Sequence, residues 1–385
     1  MGLIQKIVSF SDDMTALRRD FHAHPEIGFQ EVRTSGIVAD LLEKWGVETH
    51  RGIGGTGVVG VLRGNRAGRT IGLRADMDAL PIDEETNLTY RSTNPGVSHA
   101  CGHDGHTTML LGAARYLAES RDFAGTAVFV FQPAEEGLGG ARAMIADGLF
   151  EKFPVDEIYG LHNMPTDRAG RVAIKPGTAL AGADFFDITL KGKGSHGAMP
   201  QDSKDPIIAA TALVQALQSI VSRNLAPKET AVLSVTQIHA GAAYNVIPSQ
   251  AVVSGTARMF TEEVRSLMQS RIREVAAGIA TMYGIEVEVD IRDIFSVLVN
   301  NEALSHEFLA MAADMVGAEN AGLNPDLATG SEDFADMLHA VPGAYFTIGH
   351  DGNVPLHNPG FLFDDAILPI GASLYARLVE TRAAV

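Results

Sequence analysis

The chain has 385 residues, of which 46% are hydrophobic and 20% charged, and its formal net charge at pH 7 is −17. This length exceeds the range over which one hydrophobic core keeps growing, so we expect two domains, and the composition excludes an intrinsically disordered chain. Because such a negative charge repels phosphate backbones and anionic lipid surfaces, we expect neither a nucleic acid nor a membrane as partner.

The first part of the chain, to about residue 175, alternates short β-rich runs with helical patterns. Such alternation is typical of an α/β sheet covered by helices. The predicted elements are a helix near 35–45, strands near 58–62 and 70–75, a helix near 107–120 and a strand near 126–131.

The order of predicted elements changes between about residues 180 and 293. Strand, helix, strand, strand, helix and strand are predicted at 184–190, 206–223, 231–238, 251–258, 262–283 and 286–292. This is the βαββαβ order of a ferredoxin-like domain. The remainder returns to helix, strand and helix, the last near 364–378. The sequence therefore predicts an α/β fold with one domain over 1–178 and 294–385 and an inserted domain over 179–293.

The densest group of candidate metal ligands lies just before the helix predicted to start at Thr107. Cys101 and His103 are two residues apart in a glycine-rich segment, so a thiolate and an imidazole can face one metal from a loop. The alternative is a buried structural cysteine among solvated histidines, which is common for a lone cysteine.

Cys101 is the only cysteine, so no intrachain disulfide can form and an oxidising compartment offers no advantage. The N-terminal residues mix charges into their apolar positions and lack the uninterrupted apolar run of a signal peptide. We therefore expect a cytoplasmic location.

Two adjacent carboxylates, Glu135 and Glu136, follow a predicted strand in a turn bounded by proline and glycine. Strand ends are where active sites form in α/β sheets. One carboxylate can bind a metal while the other takes a proton from water. The alternative is a solvated pair at a helix start, favoured by the helix dipole.

Two isolated histidines complete a set of donors. His162 follows an apolar run directly, and His357 lies between two prolines. Each alone would more often be structural than catalytic. With Cys101, His103 and Glu136, however, they make five N, S and O donors on separate segments, which fits two metals sharing a bridge. Such a mixed set favours zinc, manganese, cobalt or nickel over magnesium or calcium.

Further polar residues lie where they could support the metal ligands or bind the substrate. Asp76 and Asp78 end a predicted strand, and we place Asp78 with the catalytic residues because metal-bound imidazoles donate to carboxylates; a simple turn is the alternative. His196, in a glycine-rich loop of the insertion, could donate to an oxyanion. Asn245 is another hydrogen-bond donor, and the planar guanidinium of Arg258 could bind a substrate carboxylate through two parallel hydrogen bonds. Taken in isolation, both would be ordinary surface residues.

Together these motifs resemble a family of metallo-amidohydrolases that includes hippurate hydrolase, N-acyl-amino-acid amidohydrolases and plant auxin-conjugate hydrolases, relatives of aminoacylase and carboxypeptidase G. The resemblance covers almost the whole chain. It runs through 18–31 (RRDFHAHPEIGFQE), 74–81, 99–107, 132–137, 160–163, the His196 loop, 245–248, 330–334 (GSEDF) and 356–359.

The resemblance implies a zinc-peptidase-like catalytic domain with an inserted lid or dimerisation domain, in a homodimer or a higher homo-oligomer. It also implies two divalent metal ions per subunit. In the family pattern Cys101 bridges the metals, with His103 and His162 on one and Glu136 and His357 on the other.

The same likeness makes Glu135 the general base and His196 the donor to the oxyanion, from its own subunit or from the partner's, with Asn245 and Arg258 nearby. The implied reaction is hydrolysis of the amide bond of N-acyl amino acids, which releases a carboxylic acid and an amino acid. The chain departs from related branches that carry a metal-binding histidine where Asp76 stands and a bridging aspartate in place of the cysteine.

Three alternative functions stay open at this point. One is a deacetylase or dipeptidase acting on another amine, since the motifs fix the reaction more than the substrate. Another is a catalytically silent metal-binding or peptide-binding relative, against which Glu135 argues because a silent site needs no base. The third is a nicotinamide enzyme, which depends on a GxGxxG pattern at 52–57. The dinucleotide-binding fingerprint must be followed by a helix, whereas this pattern is followed by a predicted strand. We therefore discard this alternative.

Overall fold

A computed structural model of the chain describes residues 2–384. Within these residues the chain divides into two units. The first runs to Ala179 and includes Leu298–Leu327 and the residues from Asp333 onward, and the second consists of Leu180–Val297 and Ala328–Glu332. No helix among the described residues is long and apolar enough to cross a membrane.

The helices vary from single turns to six turns in length. They are α1 (Gln5–Val8), α2 (Ser11–Ala23), α3 (Val32–Lys44), α4 (His103–Ser120), α5 (Gly140–Ala146), α6 (Leu149–Lys152), α7 (Pro206–Leu217), α8 (Glu262–Tyr283), α9 (Glu302–Val316), α10 (Phe334–Ala340) and α11 (Leu368–Arg382). Short 3-10 or π turns occupy Pro200–Asp202, Ile220–Asn224, Ala318–Asn320 and Asp365–Ile367.

The strands of the second unit form one block in the chain, between two blocks that belong to the first unit. In chain order the strands are β1 (Glu48–Ile53), β2 (Gly57–Arg63), β3 (Arg66–Asp76), β4 (Ala124–Gln132), β5 (Glu157–Met164), β6 (Val172–Ile174), β7 (Gly177–Leu180), β8 (Gly182–Lys191), β9 (Ser195–His196), β10 (Ala231–Ala240), β11 (Val246–Ile247), β12 (Gln250–Met259), β13 (Glu286–Phe295), β14 (Leu298–Asn300), β15 (Ala321–Leu323) and β16 (Gly343–Gly349).

An eight-stranded mixed sheet in the order β1-β2-β4-β3-β5-β16-β6-β15 organises the first unit. Four neighbours in its middle, β4, β3, β5 and β16, run parallel. Their carboxyl ends therefore meet at one edge of the sheet, which is where ligand sites form in α/β folds. β3 ends at Asp76 and β4 at Gln132, directly before the predicted site residues.

Helices α4 and α11 cover the middle of this sheet, and α4 is buried along most of its length. Its apolar residues pack with Phe129 of β4 and Tyr375 of α11, both 0% exposed, in the core of the unit. The Tyr375 hydroxyl donates to the backbone oxygen of Arg74 over 2.5 Å, which ties α11 to β3. The sheet edge is thus supported by a well-packed core.

The start of α4 differs from the prediction. Residues 99–106 were expected to form a loop, but the helix begins at His103 rather than at Thr107. Gly102, with φ 96°, makes the turn into the helix, and a Cβ there would lie 2.3 Å from Oδ1 of Asn163. A residue with a side chain would be strained and crowded here, so glycine permits a helix start that the hydrophobic pattern did not reveal.

The second unit contains β8, α7, β10, β12, α8 and β13 in that order, which is the βαββαβ order expected from the sequence. Its sheet has the order β10-β12-β8-β13, and every neighbouring pair is antiparallel. Leu213 of α7, Met268 of α8 and Ile188 of β8 belong to one hydrophobic cluster, and all three are 0% exposed. The predicted helix at 206–223 is shorter than expected, because α7 ends at Leu217 and a π turn follows.

The second unit includes one short segment that is distant in the chain from the rest of that unit. Ala328–Glu332 belongs to the second unit, although the sequence assigned these residues to the first. The backbone N–H of Ala181 donates to the oxygens of Ala328 and Gly330 over 3.1 and 3.0 Å. Such a short segment carries no periodicity from which this grouping could be read.

The discarded dinucleotide pattern lies in a hairpin. β1 and β2 pair in antiparallel fashion on either side of a turn at Gly54, Gly55 and Thr56. The glycines therefore close a tight strand-to-strand turn, and no helix begins there.

Candidate metal centre

The candidate ligands reach one place from separate segments of the first unit. Cys101 directly precedes Gly102, the cap of α4, and His103 is the first residue of that helix. Glu136 lies in the turn after β4, and His162 lies in β5. His357 belongs to the segment before α11, where its backbone N–H donates to Ala100 O over 2.8 Å.

Cys101, His103 and His162 form a first triad, in which one ligand atom from each residue lies within 4.8 Å of the others. Sγ of Cys101 is 3.3 Å from Nε2 of His162. Cys101 and His103 are 6% and 1% exposed, so the donors face the interior. A thiolate with two imidazoles is a typical set for a transition-metal ion.

Cys101, Glu136 and His357 form a second triad under the same 4.8 Å limit. Nε2 of His357 lies 3.2 Å from Oε1 of Glu136. His357 is the most exposed donor, with 52% of its side chain accessible. Because Cys101 belongs to both triads, its sulfur stands where a ligand shared by two cations would be.

Hydrogen bonds fix the ring orientation of the two histidines in the first triad. Nδ1 of His103 lies 3.2 Å from Oδ1 of Asp78, and Nδ1 of His162 lies 2.6 Å from the backbone oxygen of Asn163. In each case Nδ1 donates, which leaves the lone pair of Nε2 free for a ligand. Nε2 of His103 is buried without any hydrogen-bond partner.

The electrostatics of the centre also fit bound cations. Burial alone would lower the pKa of His103, but the charge of Asp76 and the hydrogen bond and charge of Asp78 raise it to about 10. Burial, together with the charges of Glu136 and Glu135, raises the pKa of the Cys101 thiol well above its usual value. Carboxylates therefore dominate the site, and divalent cations would balance them and favour the thiolate.

Glu135 lies beside both triads and belongs to neither. One of its oxygens is within 4.8 Å of a ligand atom of His103 and one of Glu136, and the residue is 6% exposed. A carboxylate this close to a metal site is placed to exchange protons with water.

The model of peptidase family M20/M25/M40 matches residues 72–381 of this chain. The chain belongs to this peptidase family. Hippurate hydrolase of Campylobacter jejuni is 43% identical over 378 residues, which cover 98% of each chain. N-acetylcysteine deacetylase of Bacillus subtilis is 38% identical over 374 residues, 96% of this chain and 97% of the relative.

A solved structure agrees with this assignment. A dinuclear metal-binding peptidase from the M20 family of Bacillus subtilis superposes with a TM-score of 0.81 and 35% identity, over 97% of this chain and 99% of that one. The family resemblance predicted from the motifs and the mixed α/β fold are therefore confirmed. The chain is a hydrolase of the M20 type, in a family of amidohydrolases and peptidases.

Other residues of this M20 chain form hydrogen bonds around the centre that the sequence did not reveal. Asp76, expected to support a metal-bound imidazole, instead accepts from Nδ1 of His106 over 2.7 Å and from Arg74 over 2.7 Å. His106 in turn lies 2.7 Å from Oδ1 of Asn163 through Nε2. The spacing of His103 and His106 on one helix was the available signal, and it was missed because the segment was interpreted as a loop.

His196 and Asn245 lie in the second unit, close to each other. His196 pairs with Val246 across β9 and β11, and the N–H of Gly197 donates to the backbone oxygen of Asn245 over 2.7 Å. Nδ1 of the exposed His196 accepts from the N–H of Ala198 over 3.1 Å, which makes Nε2 the protonated, donating nitrogen.

Arg258 lies in β12 of the same unit. Its guanidinium donates to two neutral oxygens, Oγ1 of Thr256 and the backbone oxygen of Ala257. Its partial burial lowers its pKa. A half-buried guanidinium with neutral partners retains the capacity to bind a carboxylate.

Proposed function

We propose that this chain hydrolyses the amide bond of N-acyl amino acids, using two divalent cations. The observation that carries the proposal is the sharing of Cys101 between two triads, with Glu135 beside them. The names of two relatives support the substrate class, because hippurate and N-acetylcysteine are both N-acyl amino acids.

The chain would hold one cation with Cys101, His103 and His162 and the other with Cys101, Glu136 and His357. Mixed sulfur, nitrogen and oxygen donors favour zinc, manganese, cobalt or nickel. When bound, such ions supply the Lewis acidity that polarises a carbonyl and acidifies water. Asp78 keeps Nε2 of His103 directed at the centre through its hydrogen bond to Nδ1.

Glu135 acts as general base in this proposal. Its carboxylate takes a proton from the attacking water and returns it to the nitrogen of the leaving amine, so that the residue ends the cycle unchanged. The proton transfers require a carboxylate near the centre that is not itself a ligand, and in this proposal Glu135 is that carboxylate.

The second unit would supply groups that recognise the rest of the substrate. We propose that Nε2–H of His196 donates to the developing oxyanion, which is worth roughly 10²–10³ in kcat for comparable donors. Arg258 would bind the carboxylate of the amino acid, with Asn245 as a further donor. In this proposal the second unit serves as the lid or dimerisation domain, and the first unit forms the catalytic domain.

We also propose a homodimer formed through the second unit. β10 is an edge strand of its sheet. Ile238, near its end, is 49% exposed, and Tyr244 and Val246 beyond it are 112% and 52% exposed. An exposed edge with apolar side chains is suited to pairing with a second copy.

A cytoplasmic location completes the proposal. The sole cysteine is a proposed metal ligand, and in an oxidising compartment its thiolate would be open to oxidation. Cell fractionation followed by immunodetection checks this, and recovery in a secreted fraction would contradict it.

A substrate screen tests the proposed reaction. We expect protein reconstituted with zinc, manganese, cobalt or nickel to release free amine from benzoyl-, acetyl- or indole-acetyl-amino acids, and chelation to abolish the release. Dipeptides and acetylated amines without a carboxylate serve as comparison substrates. If only these comparison substrates are cleaved, the dipeptidase or deacetylase alternative replaces the proposal. If no substrate is cleaved although the protein is fully loaded with metal, the chain is a catalytically silent metal-binding protein.

Subunit mixing tests whether His196 acts across a dimer. His196→Ala and Glu135→Gln proteins are each expected to be nearly inactive, but their mixture should recover roughly a quarter of wild-type activity, since random exchange makes half the dimers mixed and each has one complete site. Each variant mixed with itself is the control. Failure to recover after mass spectrometry has shown exchange would place His196 within its own subunit.

A further inference from the structure

The turn that carries Glu135 and Glu136 is constrained at several points. β4 ends at Gln132 and α5 begins at Gly140, and we call residues 133–139 between them the carboxylate turn. Gly140 N–H closes it by donating to the oxygen of Ala134 over 3.0 Å. A Cβ on Gly140 would lie 1.6 Å from the Pro133 oxygen, so the closure leaves no room for a side chain.

Ala134, the residue directly before Glu135, has an unusual backbone conformation. Its φ is 54°, in the left-handed region that residues other than glycine seldom adopt. Such a conformation persists only where the surroundings hold it. Since the backbone at Ala134 sets the direction of the following residue, whatever holds Ala134 also directs Glu135.

Glu31 holds the backbone of Ala134 from a distant part of the chain. Its carboxylate is 0% exposed, and Oε1 accepts from the N–H of Ala134 over 2.8 Å. Its other oxygen, Oε2, accepts from Oγ1 of Thr56, in the β1–β2 turn, over 2.5 Å. Both oxygens of Glu31 are therefore used, one to fix the carboxylate turn and one to fix Glu31 itself.

The chain segment of Glu31 also packs directly on the turn. A Cβ added at Gly28 would lie 2.9 Å from Cα of Ala134 and 2.7 Å from Cδ1 of Leu138. The turn thus cannot move toward this segment, and the hydrogen bond from Ala134 prevents it from moving away.

Two further carboxylates hold the turn and the start of α5 that follows it. Oδ2 of Asp78 accepts from the N–H of Glu136 over 3.0 Å, and Oδ2 of Asp333 accepts from the N–H of Ala141 over 2.9 Å. Asp78 also contacts a proposed metal ligand, so its removal would disturb the cations. Glu31 is the better residue for an experiment, because its hydrogen bond reaches the turn at the residue before the base.

We infer that Glu31 is a positioning residue, which holds Ala134 in its left-handed conformation and thereby directs the carboxylate of Glu135 toward the centre. The inference rests on the proposed function, in which Glu135 is the general base. Glu31 itself neither transfers protons nor binds substrate. A glutamine retains a carbonyl oxygen for Ala134 and an amide that can meet Thr56, so it should replace Glu31 adequately.

The experiment compares Glu31→Ala with Glu31→Gln in the metal-loaded protein. For Glu31→Ala we expect kcat to fall about a hundredfold, since small displacements of a catalytic group have effects of that size. KM and the metal content should stay near their wild-type values. Glu31→Gln should restore most of kcat, which a proton-transferring glutamate would not allow.

Hydrogen exchange followed by mass spectrometry provides a measurement that does not depend on activity. Peptides covering the carboxylate turn should exchange roughly tenfold faster in Glu31→Ala than in wild type, because the Ala134 N–H loses its acceptor. Glu31→Gln should leave the rate unchanged. If wild type hydrolyses no N-acyl amino acid while this difference is found, the proposed function fails and the positioning by Glu31 stands.

Glu26→Ala is the matched control, in the same segment. The carboxylate of Glu26 accepts from the N–H groups of Arg33 and Thr34 at the start of α3, over 2.9 and 2.8 Å, and does not reach the turn. The Glu26→Ala substitution should lower the melting temperature but leave kcat and the hydrogen-exchange rate of the carboxylate turn unchanged.

The outcomes separate a positioning role from a merely structural one. Folded Glu31→Ala protein with normal kcat and normal exchange of the turn would overturn the inference, as would equal loss of kcat in Glu26→Ala. If Glu31→Ala does not fold, Thr56→Val takes its place, since it removes only the hydroxyl that fixes Glu31. We then expect a smaller loss of kcat with faster exchange in the same peptides, and normal values of both would overturn the inference.

Discussion

Glu135→Gln protein is expected to bind its metals normally and to hydrolyse its substrate about 10² to 10⁴ times more slowly than wild type, the usual contribution of a general base. Glutamine keeps the shape of the side chain but cannot accept a proton from water. Glu135 lies next to both triads without belonging to either, so the ligand set stays intact. Elemental analysis measures the metal content, and the release of free amine measures kcat.

The neighbouring carboxylate is the matched control. Glu136→Gln changes the same chemical group one position away, yet Glu136 is the oxygen donor of the second triad. We therefore expect it to lose metal as well as activity, and excess metal should restore part of the activity. Normal kcat in Glu135→Gln protein, or a metal loss equal to that of Glu136→Gln, would remove Glu135 from the role of general base.

The sequence singled out the candidate donors because their residue types are chemically distinctive and because they lie beside recognisable elements. Glu136 comes after a strand that alternation predicts, and His162 ends an apolar run. Parallel strands then bring such residues to one edge of the sheet without any further information. The structure places all five donors in two triads that share Cys101, as such a convergence requires.

The residues that shape the site were harder to predict, because they act through the backbone. Glu31 ends the motif at 18–31, but nothing in the neighbouring residues shows that its carboxylate accepts a hydrogen bond from Ala134, 103 positions away. The left-handed φ of Ala134 has no signal in the sequence, since alanine ordinarily favours a helix. Long-range hydrogen bonds determine these features, whereas local patterns report only periodicity and turn chemistry.

The start of α4 illustrates the same limit. The helix was predicted from its apolar face, which begins at Thr107, but its first turn is buried and polar, with His103, Asp104 and His106 all at most 1% exposed. Hydrophobic periodicity cannot detect a turn whose polar residues are buried by hydrogen bonds to other segments. Buried polar side chains at the start of a helix are expected where a functional site is located. The position at which the helix prediction was wrong is therefore a position beside the candidate site.

Cys101 is the residue whose replacement should have the widest effect on the metal centre. It is the only donor common to both triads, so in the proposed centre its removal would take a ligand from each cation at once. His103 or His162 replaced by alanine removes a ligand from one cation only. We therefore expect Cys101→Ser to lower the occupancy of both sites, whereas His162→Ala should spare the second.

Cys101→Ser should lose at least about a hundredfold in metal affinity, since even residues that only support a ligand contribute 10- to 100-fold. A serine hydroxyl is similar in size but stays neutral, and it cannot balance two cations. Cys101→Asp supplies a charged group with two oxygens, each able to reach one cation, and should recover binding, with a shift toward harder ions such as manganese. Metal titration by calorimetry compares the two variants. Equal affinity in Cys101→Ser and wild type would show that the sulfur is not the shared ligand, because a neutral hydroxyl cannot replace a bridging thiolate without cost.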